Sequence, residues 1–241
     1  MISSNEQLKN RGYITVEDTM NYICFNENEL LELLKSKEPY KRTIAVHLLS
    51  NQNELDDQII HLFCKMLLHE KKLYTKIELC NGLTKASVES VKTMVNYLGV
   101  IGKNQYKELP NKEFNKKSYP LPRDIIARTL AHMSVEVLPE LIKILKTNNI
   151  IAIREVIDSI GFICRYNDNT YSESILNELI TCFNEYTKDE VVRWKIVRAF
   201  ESFNSQTIVD ILINVKENDS QFVIRNEAKR SLHIINSRLF S

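Results

Sequence analysis

Apolar residues recur at three- and four-residue spacing along almost the whole chain, in segments of roughly 10–16 residues separated by short polar turns. That period belongs to amphipathic helices and is wrong for strands. Five Gly and five Pro in 241 residues are too few turn residues for a chain of many short strands. Helix starts are marked chemically. Asn26 with Glu29, and Thr15 with Asp18, have the spacing of a side chain that caps a helix and an acid that reaches back to it. Further helices are expected near 40–50, and around Ile59–Leu67, Leu73–Leu83, Val88–Leu98, Ile125–Leu130 and Val137–Leu145. Five more are expected over 150–165, 171–186, 189–203, 206–216 and 221–237, for roughly thirteen in all.

A repeat underlies this pattern. A basic residue stands near the start of every second segment: Arg42, Lys76, Arg123, Arg154, Arg193 and Arg225. An apolar residue follows three places on: Ala45, Leu79, Ile126, Ile157, Ile196 and Ala228. The separations are 34, 47, 31, 39 and 32 residues, which apart from the second is the period of a two-helix unit. One such unit cannot bury its apolar stripe alone, whereas stacked neighbours bury a continuous core. The basic residues are therefore expected to be mainly structural. Arg154 with Asp158, and Asp124 with Arg128, are placed to pair along one helix.

These segments resemble the HEAT-repeat family, in the bacterial form with a V-R-x-x-A-x-x-A-L-G-x-I pattern also seen in phycobilisome-lyase-like repeats. The stretch VEVLPELIKILKTNNIIAIREVIDSIGFI, residues 135–163, carries the likeness best, and it extends from about residue 15 to the end. The resemblance implies an all-α solenoid of about six HEAT-like helix pairs plus a terminal helix, forming one repeat domain over 1–241. It also implies a concave face lined by the second helix of each pair. Those second helices carry about eight more acidic than basic residues, so a mildly acidic groove suited to a basic peptide is expected.

The 47-residue separation marks a departure from the repeat. Residues 100–121 lack helical periodicity and contain Pro110 and Pro120. Lysines there are interleaved with aromatics. A loop this long inside a repeat array is functional or disordered, and this composition suits phosphate, nucleic acid or an acidic peptide. Lys103, Tyr106, Lys112, Phe114, Lys116, Lys117, Tyr119 and the adjoining Arg123 are accordingly the candidate partner-binding residues. The competing reading is that the aromatics pin the loop to neighbouring helices while the lysines stay solvated. Because the repeats lie outside it, replacing 103–119 with a Gly/Ser linker is expected to leave folding intact.

Other chemistry finds little support. Formal charge is +1, which predicts neither a nucleic-acid nor a membrane partner. The five cysteines, Cys24, Cys64, Cys80, Cys164 and Cys182, form no C-x-x-C pair and have apolar neighbours, so buried free thiols are expected. His61 and Cys64 share a helix face, but zinc needs three or four ligands. Di-iron hydroxylases of HEAT-like architecture use several His-Glu dipeptides; this chain has His69-Glu70 alone. Residues 1–10 are polar and no apolar run has membrane-spanning length, so a cytoplasmic protein is expected. The functional expectation is a non-enzymatic scaffold or adaptor for a protein or peptide, without cofactor or metal. The alternatives are a nucleic-acid-binding protein related to the HEAT-like DNA alkylation repair glycosylases, and a lyase or chaperone role toward a chromophore-bearing partner.

Overall fold

A computed structural model describes residues 4–52, 55–167 and 173–239, and no strand occurs among them. The chain divides into two compact units, Met1–Ile101 and Gly102–Ser241. The first holds α1 (Asn5–Lys9), α2 (Val16–Met20), α3 (Glu27–Leu33), α4 (Pro39–Gln52), α5 (Asp57–His69), α6 (Leu73–Leu83) and α7 (Val91–Met94). The second holds α8 (Ile125–Ala131), α9 (Leu138–Leu145), α10 (Ile150–Tyr166), α11 (Glu173–Glu185), α12 (Glu190–Ala199), α13 (Gln206–Asn218) and α14 (Phe222–Leu239). The expected start of α11 at Tyr171 lies outside the described residues.

The caps stand where the sequence placed them. Thr15 and Asn26 both complete reciprocal capping boxes, with Asp18 and Glu29. Asp56, Asp124, Asn149 and Asp189 cap α5, α8, α10 and α12 by accepting from backbone N–H groups three residues on. The segment expected as a helix over Val88–Leu98 is shorter: α7 spans four residues and continues as a 3-10 turn, Val95–Tyr97. Val88, Val91 and Val95 are weak helix formers, and Gly99 at φ 74° turns the chain away.

Within each unit, alternate helices stack in chain order, as in an α-solenoid. In the first, α4 lies on α6; in the second, α8, α10, α12 and α14 form one continuous layer, with α9, α11 and α13 behind it. The apolar residue three places after each basic position is fully buried in all six repeats. The layer of the second unit is also stitched by hydroxyls. Ser159 Oγ donates to the Ala127 carbonyl at 2.8 Å, Ser202 Oγ to Gly161 at 2.8 Å and Ser231 Oγ to Val197 at 3.0 Å. Small side chains allow this close approach and satisfy their own polar atoms at the same time.

Three of the repeated arginines link neighbouring repeats of the stack, not residues of their own helix. Arg42 binds Glu70 through two nitrogens at 2.9 Å, Arg154 reaches Asp189 at 2.7 Å, and Arg193 pairs with Asp219. Each acid sits just before the next stacked helix. This corrects the expected pairs along one helix: Asp158 meets Lys195 instead, and Arg128 donates to the Pro122 carbonyl. The acids are better placed as inter-repeat partners because each already accepts from a backbone N–H one to three residues on, which holds it at a fixed position. The cysteine expectation also needs one correction. Cys64, Cys164 and Cys182 are buried, and burial pushes their thiols up to about 12, but Cys80 is partly exposed and Cys24 is exposed. Cys24 lies in the turn after the short helix α2, which buries nothing.

Candidate functional site

The second unit opens with the non-helical segment that precedes α8. Gly102, at φ 84°, starts it in a conformation a side chain would strain. Gln105 then donates to the Asp124 carboxylate at 2.8 Å, and Arg154 donates to the Lys107 carbonyl at 3.4 Å. Further on, Asn226 donates to Glu113, and Arg230 Nε donates to the Lys116 carbonyl at 3.1 Å. The insert thus reaches α10 and α14, and through Tyr106 α12 as well.

The three candidate aromatics face inward. Tyr106 meets the Trp194 ring edge-on with centroids 4.9 Å apart, and the Arg123 guanidinium lies 4.3 Å over its face. Phe114 takes two guanidiniums, Arg198 at 5.3 Å and Arg230 at 4.9 Å. Tyr119 is 3% exposed, donates its backbone N–H to the Tyr166 hydroxyl at 3.1 Å, and rests against Phe162 and Gly161. By contrast Lys103, Lys112, Lys116 and Lys117, with Lys107, are exposed. The candidates therefore separate into inward aromatics and outward lysines, with Arg123 exposed and lying over Tyr106.

Beneath the insert lies a layer of buried charge. Every residue of α12 except Glu190 and Arg193 is buried, which a helix in a two-layer stack achieves only when something covers its outer face. Lys195 is fully buried and pairs with Asp158 at 2.9 Å and Glu155 at 3.1 Å. Arg198 stacks 4.1 Å over Trp194 and donates to Glu227 at 2.7 Å; Trp194 Nε1 donates to the same oxygen at 3.0 Å. Arg230 joins Glu201 to Glu227. Burial alone would raise the Glu227 carboxyl, but Arg198 and Arg230 outweigh it and hold it below the ordinary range. The Glu155 balance goes the other way: burial pushes it up to about 7, the Asp158 charge reinforces this, and Lys195 only partly opposes it.

Between insert and layer is a cavity of about 270 Å³ lined by Tyr106, Phe114, Trp194, Asp158 and Arg198 among others. Asp158 Oδ1 and Arg198 Nε are buried without a hydrogen-bond partner. Trp194 is the single tryptophan of the chain, and no local pattern marks it. Asp158 is expected only as a partner of Arg154, and Arg198 and Glu227 are not singled out, though charged residues at positions where the helical period demands apolar ones are visible at Lys195 and Arg198. Elsewhere, His61 bonds Tyr97 at 2.8 Å while Cys64 lies in the core, so the two do not converge. No group of three or more metal-binding side chains occurs among the described residues. No described helix is long and apolar enough to cross a membrane.

Neither a known protein family nor a curated protein matches the sequence. Among solved structures, the chain is similar to an engineered protein at 15% identity and TM-score 0.38, over 88% of this chain and 99% of that one. A second engineered protein, at 14% identity and TM-score 0.36, covers 88% and 96%. A designed armadillo repeat protein matches at 12% identity and TM-score 0.34, over 88% of this chain and all of that one.

Proposed function

We propose that this chain is a HEAT-like, non-enzymatic adaptor that holds an acidic segment of a protein partner on the insert's lysine edge. The observation that supports it is the division of labour within 103–123. The aromatics spend their surface on α10, α12 and α14, so the segment is anchored rather than loose, and five lysines are left outward with only Glu108 and Glu113 against them. An anchored basic edge loses little conformational entropy when a partner arrives. Complementary charge also speeds encounter and confers salt sensitivity. The acidic second helices offer the opposite chemistry, and a basic peptide is the proper control for them.

The test is a titration of a fluorescent Glu/Asp-rich peptide against the wild type and against a K103E, K112E, K116E, K117E variant. The expected result is at least tenfold weaker binding by the variant, weakening of the wild type with added salt, and an unchanged melting temperature. Equal binding by both proteins, or a preference for a Lys-rich peptide, would refute the assignment. Duplex DNA binding as tightly as the acidic peptide would do so as well, since it would indicate a phosphate reader.

A further inference from the structure

The cavity under the insert shares Lys112 with the lysine edge, and its lining sorts by chemistry. Its sides are apolar: Tyr106, Pro110, Phe114, Pro120, Leu121 and Trp194. Trp194 is 2% exposed and Leu121 50% exposed, so the cavity runs from the buried layer out to solvent. The other exposed residues that line it are charged: Lys112, Glu113 and Arg123. Neither Lys112 nor Arg123 forms an ion pair among the described residues, and Arg123 lies over the Tyr106 ring. Deeper in, Lys195 matches the charge of Asp158 and Glu227 that of Arg198. Unmatched positive charge therefore stands at the rim, two cations against one acid, and not at the floor. The volume, about 270 Å³, falls just short of sites for drug-sized molecules, roughly 300–1,000 Å³. One ring-bearing side chain is an occupant of the right scale.

Resting on the acidic-partner reading above, we infer that this cavity takes one aromatic side chain, Phe or Tyr, of that acidic segment, with the flanking carboxylates on Lys112 and Arg123. The charges sort the alternatives. A Lys or Arg side chain would meet Arg123 and Arg198, which already lie over the faces of Tyr106, Trp194 and Phe114. A carboxylate drawn inside would lose its water and find Arg198 committed to Glu227. The acids therefore stay on the rim, where Lys112 and Arg123 are solvated and unpaired, and a neutral group goes in. An aliphatic chain would fill the space but forgo ring-to-ring contacts and the attraction of guanidinium for a ring. An aromatic anchor in a pocket, ringed by polar contacts, is also the arrangement that concentrates binding energy at protein interfaces.

Trp194 is the one tryptophan in the chain and lines the cavity, so its emission reports on occupancy. Two Glu/Asp peptides of equal length and charge, one with a central Phe and one with a central Ala, are titrated against the full chain by calorimetry and by Trp194 emission. The Phe peptide should bind roughly tenfold more tightly and should alone shift the emission. Tyr106→Ala removes a wall without touching the lysines, and should abolish the Phe advantage while leaving the Ala peptide unchanged. Should circular dichroism show that this variant loses helix, Leu121→Ser decides instead: it alters a half-exposed wall and should cut the Phe advantage about threefold. Equal binding of the two peptides, or a Phe advantage that neither shifts Trp194 emission nor responds to the wall variants, would overturn the inference and leave the lysine edge standing. Failure of both peptides to bind would instead remove the lysine edge, and this site with it.

Discussion

The stacked helices of the two units follow one repeat rule and differ in what lies on top of them. In the first, the polar face of α4 and α6 carries ordinary surface pairs: His47 with Glu78 at 2.7 Å, and Lys85 with Asn51 at 2.6 Å, all at least partly exposed. In the second, the matching layer of α10, α12 and α14, with the 3-10 turn Phe200–Ser202 after α12, carries Glu155, Asp158, Lys195, Arg198, Glu201 and Glu227, all buried. The insert is the difference. It turns a solvated helix face into an interior, and charges that would cost nothing in water must there be paired to be tolerated. The buried network and its cover are therefore one unit of structure.

Replacing 103–119 with a Gly/Ser linker offers the strongest way to break this comparison. Losing Tyr106, Phe114 and Tyr119 removes apolar burial on the order of 5 kcal/mol and exposes the charge layer. The earlier expectation that folding would be indifferent to the loop is thus replaced by a selective effect. Hydrogen exchange should accelerate in α10, α12 and α14 and stay unchanged in α4 and α6. Uniform acceleration, or none, would show that cover and network are independent.

Arg198→Ala comes next, with an expected loss of about 3–5 kcal/mol, because it strands part of a buried ion network and unstacks Trp194 and Phe114. Lys85→Ala in the first unit should stay within about 0.5 kcal/mol. Urea unfolding of the two variants checks the contrast, and similar losses would remove it.

Much of this is legible in the sequence. The helical period, the two-helix spacing, the caps at Thr15 and Asn26 and the inward residues from Ala45 to Ala228 all follow from local chemistry, which a single sequence displays. The arginine partners were misread because a pair four residues apart is visible in one segment. Arg154 and Asp189, 35 residues apart, meet only once the stack exists. The same limit hid the cavity. Its walls come from the insert, α10 and α12, and nothing local to Asp158 announces that Trp194 stands across from it. The insert itself was conspicuous by composition, yet whether its aromatics pointed in or out depended on the surface beneath.

Glu155 gives a smaller and pH-dependent effect. Its carboxyl, facing Lys195, Asp158 and Asp124, is pushed up to about 7 from 4.5 by burial. The folded state therefore holds a proton that the unfolded chain releases. Its contribution to stability is complete below about pH 4.5 and is lost as pH rises through 7. Glu155→Gln should resemble the wild type at pH 5 and be more stable than it at pH 8, by an amount on the order of 3 kcal/mol. Denaturant unfolding at the two pH values measures the gap; a gap that does not change with pH would mean that Lys195 keeps Glu155 ionised throughout.

The smallest effect compares two helical glycines, one per unit. A Cβ on Gly161 would stand 2.0 Å from Tyr119 Oη and 2.6 Å from its Cζ, with Ala199 Cβ at 3.1 Å. A Cβ on Gly82 would stand 2.4 Å from Ser50 Oγ and 3.1 Å from Phe63. Each alanine gains about 1 kcal/mol of helix propensity against an overpacking cost of about 1–3 kcal/mol. Ser50 Oγ can rotate away, giving up only its 2.7 Å bond to the Val46 carbonyl, whereas Tyr119 is a rigid ring held on both sides. Gly161→Ala should therefore cost about 1–2 kcal/mol and Gly82→Ala less than about 1. Tyr119→Phe removes an unpartnered buried hydroxyl and should be neutral or slightly stabilising alone. Combined with Gly161→Ala it should recover part of the loss, because the nearest clash is gone. Strict additivity of the two would place the strain of Gly161→Ala at the ring carbon Cζ or at Ala199 Cβ rather than at the Tyr119 hydroxyl.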